Sequence, residues 1–383
     1  MSFPSIPLVR SVGMLIGSII GVGVFGLPYA LSRGGMALGL LLLVVMAILL
    51  TTMLFMYTEV VLQTPGRHRL IGYAKRYLHG SWWVLALVCF SASVWGAMLA
   101  YLLVGGDFLS SLFSLFGFSV SSFWSSVLLW GIASVCIYQG LRFASRLEVY
   151  LIGILLFLFF FMILSALPHV EAVNIFQLDW TLAFAPYGVV LFALSGGGVL
   201  PEIKEILGHR AKDQLGWTVA IGMAFITLLY ALFSFTVVGA LGDHVTPVAF
   251  DGLVPLLGEV FRVVVALIGS ITILSIFMLI GVELRHIFQY DFSLKKYQAW
   301  ALAVGMPFVL FLCGVREFIT VVGFVGGIFG STLGILYVWM YERMHARLSK
   351  DHHHCFHVPR WVSLLLVLVF LAGIFSEIIS LVH

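Results

Sequence analysis

Charge is what this sequence has least of. Asp, Glu, Lys and Arg make up only 10% of its 383 residues, against about 25% in a soluble globular domain. So few charges cannot cover a water-facing surface, and a soluble protein is excluded. Cysteine is scarce as well. Cys89, Cys136 and Cys313 lie inside apolar runs and Cys355 in a polar one, at spacings that fit neither a disulfide framework nor a metal site. The signatures H-E-x-x-H and G-x-S-x-G are missing, and no His–Asp grouping sits inside an apolar run, so a membrane-embedded enzyme is disfavoured. The net charge of +3 gives no footprint for nucleic acid. Proline is rare, 11 in all, so the places where it falls matter.

What the chain has instead is apolar length. Hydrophobic residues make up 62% of it, and its mean hydropathy is +1.12. The apolar runs are continuous over about 20 residues, the length of a membrane helix, where barrel strands would alternate over about 10. Eleven spans are expected, near 9–31, 36–61, 82–105, 121–140, 147–167, 183–206, 214–241, 260–287, 297–314, 317–341 and 360–381. With the N-terminus inside, seventeen of the 20 basic residues fall in cytoplasmic segments, and only Arg33, Arg262 and Arg316 fall elsewhere. A wrong span count would scramble that bias, so it supports a cytoplasmic N-terminus and an external C-terminus. A signal peptide cleaved after Ala30-Leu31-Ser32 is the weaker reading of the first run. The stretch 66–80 is too polar to span and reads as a short amphipathic helix at the cytoplasmic surface. The His-rich stretch 352–357 invites a metal, but a solvated loop accounts for it, since nothing fixes ligand geometry.

Two spans are built to break. The first contains "GSIIGVGVFGLPYA" (17–30), with Gly17, Gly21, Gly23 and Gly26 followed by Pro28. Each Gly weakens a helix by about 1 kcal/mol relative to Ala and an interior Pro by about 3. The sixth repeats the pattern in "FALSGGGVLPEI" (192–203), where Gly196–Gly198 precede Pro201. Each break opens a block of five spans. Five is odd, so the second block enters from the opposite side, as an inverted repeat. Glycines for close packing would explain one such helix. Two in register point to a midplane site, where freed amides face an anion and freed carbonyls a cation. A zwitterion satisfies both ends. A channel built on broken helices is the less favoured alternative, because an inverted pair implies alternating access.

These stretches, with "MYTEVVLQTPGRHRLIGYAKRYL" (56–78), "GAMLAYLLVGGDFL" (96–109) and "HIFQYDF" (286–292), resemble the bacterial aromatic amino acid transport family, in the amino acid/auxin permease branch of the LeuT-fold transporters. The resemblance implies an all-α polytopic membrane protein, one transmembrane domain over 1–383. It would hold a first five-helix repeat (9–167), an inverted second (183–341) and an extra helix (360–381), with helices 1 and 6 broken. It implies a secondary active transporter that moves amino acids, aromatic by family, across the cytoplasmic membrane by alternating access, coupled to a proton or sodium gradient, with membrane lipids around it. The alternative is a carrier for small neutral amino acids or another small amine. No nucleic acid, obligate protein partner or cofactor is implied beyond a coupling ion.

By the same resemblance, the amides of Val22 and Gly23, helped by Gly21, would meet the substrate carboxylate. Carbonyls of Ile19, Phe192 and Ala193 would meet its amino group. Ser18 and Ser195 would stand beside them, with Gly196 at the second break and Phe192 as a lid. Trp95 on the third span is the candidate for lining the side-chain pocket. For sodium, the matching positions are the carbonyls of Gly17 and Ile20, with Thr272 and Ser275 on the eighth span, although the adjacent hydroxyl pair of sodium-coupled members is missing. For a proton, the fifth span lacks the lysine of some relatives, and Glu202 beside the second break is the candidate. Glu59 and Glu283, nearer cytoplasmic ends, read as structural.

Overall fold

The computed structural model describes residues 6–140, 143–175, 178–347 and 356–382, and among these there is helix but no strand. The first apolar run forms two helices, α1 (Ile6–Ile19) and α2 (Gly23–Ser32), whose axes differ by 63°. Next come α3 (Met36–Gln63), the short α4 (Leu70–Tyr77), α5 (Trp82–Leu115), α6 (Ser122–Gln139) and α7 (Phe143–Ala166). The sixth run is again divided, into α8 (Tyr187–Ala193) and α9 (Leu200–Leu207), and α10 (Ala211–Leu241) follows. α11 (Ala249–Asp291) is interrupted at Gly258, whose φ of 83° is open to glycine and costly for other residues. Then come α12 (Lys296–Leu312), α13 (Phe318–Phe324), a π-helical turn at Val325–Gly330, α14 (Ser331–Arg347) and α15 (Arg360–Val382).

Eight stretches of the described residues are long and apolar enough to cross a membrane, and the bent α1–α2 pair makes a ninth. One of the eight, Tyr187–His244, runs 58 residues. As one helix it would be about 87 Å long, nearly three times the bilayer core of about 30 Å. It therefore holds two spans, α8–α9 and α10. With the shorter α12, each of the eleven segments read from the sequence finds its helix.

The polar exception behaves as its pattern predicts. α4 buries Leu70, Ile71, Tyr73, Ala74 and Tyr77 and turns Lys75 and Arg76 to the surface. The spans pack as a bundle, α5 against α11 and α6, and α10 against α1 and α3. Two cations tie it together at helix ends. Lys204 on α9 donates to the carbonyls of Val61 and Thr64, at 2.6 and 2.9 Å, closing the end of α3. Buried Arg285 on α11 donates to the carbonyls of Ile137 and Tyr138, at 2.6 and 3.0 Å, at the end of α6. Both meet the negative end of a helix dipole, where carbonyls have no helical partner. His352, His353, His354 and Cys355 of the His-rich stretch lie outside the described residues. Among the described residues, no cluster of His, Cys, Asp or Glu has the makings of a metal site.

Candidate functional site

The two breaks meet at the centre of the bundle. Between α1 and α2 the helical ladder loosens: Ile20 N–H still reaches Ile16 at 2.9 Å, then Val24 and Phe25 reach back only three residues, to Gly21 at 3.4 Å and Val22 at 3.2 Å. Between α8 and α9, Ser195 N–H turns back to the Phe192 carbonyl at 3.2 Å, and a 3₁₀ turn at Gly197–Val199 restarts the helix. Glycine lets these segments touch. A Cβ at Gly23 would lie 2.8 Å from Phe192 Cδ1 and 3.1 Å from Ala193 Cα, and one at Gly196 would overlap Ile19. The Ser18 hydroxyl donates to Leu15 O at 2.8 Å within its own helix and reaches Gly196 O across the junction at 3.4 Å.

One side of this junction is closed and the other open. Val22, Gly23, Val24 and Phe25 are buried, as is α8 apart from the half-buried Phe192. Ser18, Ser195 and Gly198 are exposed. Over α2 the closure is aromatic: Phe25 lies 5.7 Å from Phe108 and 5.8 Å from Phe159, and Phe108 lies 5.1 Å from Phe250. Beside the first break a cavity of about 10 Å³ is lined by Gly21, Val22, Phe25, Tyr101 and Thr272. That is room for one water at most, so the junction is contracted.

A sequence model of the tryptophan/tyrosine permease family matches residues 5–380. The chain belongs to that family. Tyrosine-specific transport system 1 of Haemophilus influenzae is 23% identical over 365 residues, 89% of this chain and 90% of the relative. Glutamine transporter 2 of Aliivibrio fischeri is 18% identical over 355 residues, 90% and 91%. Amino acid transporter AVT3C of Arabidopsis thaliana is 27% identical over 347 residues, 80% and 76%. Among solved structures, MhsT in complex with L-phenylalanine aligns with a TM-score of 0.70 at 15% identity, over 99% of this chain and 98% of that one, which shows a LeuT-type fold. The protein is thus a multi-pass amino acid permease and not an enzyme.

Within this permease, the structure brings together most of the residues singled out in the sequence. Ser18 and Ile19 meet Gly196 and Gly23 meets Phe192 and Ala193 across the junction, while Gly21, Val22 and Thr272 line the cavity beside it. Ser275 is buried further along α11. Gly17 packs against Ile152 of α7, where a Cβ would collide. Ser195 is beside the break, but its hydroxyl donates to Leu191 O at 2.6 Å, within α8.

The structure places Trp95 away from the first break. Its ring lies 5.9 Å from Phe288, in a separate cluster with Leu284, Ala299 and Ala303 of α11 and α12. The residue of α5 that meets the first break is Tyr101, whose hydroxyl accepts from Val22 N–H at 3.4 Å and sits where a Gly21 Cβ would be. Tyr230 of α10 was likewise passed over, and its hydroxyl reaches Ile19 O at 3.4 Å. A tyrosine in the middle of an apolar span was the available signal for both. Glu202, beside the second break, is engaged in an ion pair. Its carboxylate pairs with Arg69 at 3.3 Å, Arg69 also holds Glu205 at 3.2 Å, and the Glu202 side chain is 40% exposed. Buried Glu59 accepts from Gln63 Nε2 at 2.9 Å and from Phe356 N–H at 3.1 Å.

Proposed function

We propose that this permease carries an aromatic amino acid across the cytoplasmic membrane by alternating access, with the zwitterionic end of the substrate held at the junction of the two breaks. The observation that carries the reading is the junction itself. Gly23 packs against Phe192 and Ala193, Ser18 and Ile19 meet Gly196, and the Tyr101 hydroxyl accepts from Val22 N–H, so the loosened backbone of both breaks lies together. Such an arrangement suits a carboxylate at one end and an ammonium at the other. Gly23 and Gly196 allow the two segments to approach as the site closes. The two halves, 9–167 and 183–341, are read as an inverted repeat around that site, with α15 added outside it.

The orientation from the Lys/Arg bias makes the exposed side of the junction cytoplasmic, so this conformation faces inward and the aromatic rings over α2 close the outer route. Transport is driven by a proton or sodium gradient. For sodium, the carbonyls of Gly17 and Ile20 with Thr272 and Ser275 are the proposed positions. Thr272 supports this, since its hydroxyl is buried without a partner among the described residues and lines the cavity. A substrate without an aromatic ring is the second reading, favoured by a relative named as a glutamine transporter.

The test is uptake of labelled tryptophan, tyrosine, glutamine and alanine into proteoliposomes, with pH and sodium gradients imposed separately. Saturable accumulation of tryptophan or tyrosine in preference to the others is the expected result. Preference for glutamine or alanine would select the second reading, and no accumulation of any of them would overturn both.

A further inference from the structure

Glu377 is a carboxylate that the site above does not use. It lies four-fifths of the way along α15, a helix otherwise without acidic residues after its start. Space has been kept for it. A Cβ at Gly188 of α8 would lie 2.9 Å from Glu377 Oε2, one at Gly323 of α13 would lie 3.1 Å from Oε1, and one at Gly327 of the π-helical turn would lie 2.9 Å from Oε2. Three glycines on three elements thus form a cradle that any side chain would fill. Among the described residues, the carboxylate accepts no hydrogen bond and pairs with no cation. Glu377 is half-buried about one turn from the end of α15, where an ionised carboxylate without a partner is disfavoured and protonation removes that cost.

The surrounding groups leave protonation as the way to neutralise it. α8 presents one titratable side chain, Tyr187, whose hydroxyl is engaged with Ser331 Oγ at 2.8 Å. α13 and the π-helical turn carry none. On α15 the near polar neighbours are Ser376 and Ser380, the latter donating to the Glu377 backbone carbonyl at 2.9 Å. On α14, Glu342 is held at the other end of α15 by Ser363 at 2.6 Å and Arg360 at 3.9 Å. Ser363 is 14 residues from Glu377, about 21 Å along the helix.

The cradle also touches the substrate site through rigid parts. α8 is seven residues long. Gly188 meets the carboxylate at one end of it and Phe192 and Ala193 face the first break at the other, about 6–8 Å apart. The π-helical turn makes the same two contacts: Gly327 lies on Glu377, and a Cβ at Gly326 would lie 2.8 Å from Phe192 N. π-turns inside α-helices gather at functional sites.

We propose that Glu377 is the site where the driving proton binds, and that its protonation state biases the position of α8 against the π-helical turn, and thereby the substrate junction. This rests on the transporter reading above. The step is the addition of H⁺ to the carboxylate from the outer side and its release when α8 moves.

The test uses the full chain in proteoliposomes, as wild type and Glu377→Gln. Counterflow of labelled tryptophan needs no ion gradient and reports whether the substrate site works; failure in the wild type would remove the tryptophan reading alone. Infrared difference spectra between acid and neutral pH then decide the proton site without any substrate. The expected result is a carboxylic-acid band in the wild type that Glu377→Gln lacks. With it, the variant keeps counterflow within about twofold and loses pH-driven accumulation at least about tenfold. An unchanged band, or pH-driven accumulation equal to wild type, overturns the proposal. If Glu377→Gln does not fold, Gly327→Ala presses a methyl on the carboxylate and is expected to move the band's pH midpoint by about one unit. A midpoint that stays put would equally overturn it.

Discussion

At the scale of single residues, the junction depends on atoms that are missing and on one hydroxyl. Gly23→Leu places a branched side chain where even a Cβ would lie 3.1 Å from the Ala193 backbone. Uptake is expected to vanish while the protein still inserts, measured by transport alongside the amount in the membrane fraction. Wild-type uptake in that variant would remove the junction as the binding site. Tyr101→Phe keeps the ring and removes the acceptor for Val22 N–H. A buried donor left unsatisfied costs about 1–3 kcal/mol, so the variant is expected to unfold at a lower temperature than wild type in detergent, and an unchanged midpoint would show that water replaces the hydroxyl. The glycines were legible in the sequence because they contradict the helix around them. Tyr101 was not, because which face of α5 meets the break depends on its neighbours. Trp95 and Tyr101 are six residues apart, about 240° around the helix, so choosing one amounts to rejecting the other.

At the scale of elements, helix ends carry the cross-links. Lys204 joins α9, the second half of a broken span, to the end of α3, beside the Arg69 pairs with Glu202 and Glu205. Lys204→Met keeps the apolar stem and loses two charged hydrogen bonds, each of a kind contributing about 1.5–3 kcal/mol. The variant is expected to lose thermal stability in detergent by several degrees, measured by intrinsic tryptophan fluorescence on heating. A midpoint equal to wild type would show that water replaces the lysine. Arg285→Met is expected to be worse, since Arg285 is buried and the α6 carbonyls would lose their only charged partner among the described residues. Long apolar runs and the amphipathic α4 could be read from sequence because period and composition determine them. The π-helical turn at Val325–Gly330 could not: its glycines fit an ordinary α-helix equally well, and only contact with Phe192 and Glu377 picks out the wider turn.

For the whole molecule, the asymmetry of the junction makes the strongest claim. Aromatic rings at Phe25, Phe108, Phe159 and Phe250 pack over the α2 side in edge and tilted contacts of 5.1–5.8 Å. The α1/α9 side leaves Ser18, Ser195 and Gly198 exposed. In a variant lacking the four native cysteines, Ser195→Cys is expected to react with a membrane-impermeant maleimide supplied on the cytoplasmic side and to stay unreactive from outside. Val189→Cys, in the buried half of the same span, is expected to be silent from both. If a driving gradient reverses the conformation, labelling of Ser195→Cys should slow as the inner side closes. Truncating the plug with Phe108→Ala should act in the opposite sense, admitting label from outside. Labelling of Ser195→Cys from outside in the unmodified plug would contradict both the orientation drawn from Lys and Arg and the inward-facing assignment. A loss of sidedness confined to Phe108→Ala would instead identify the aromatic stack as the outer gate.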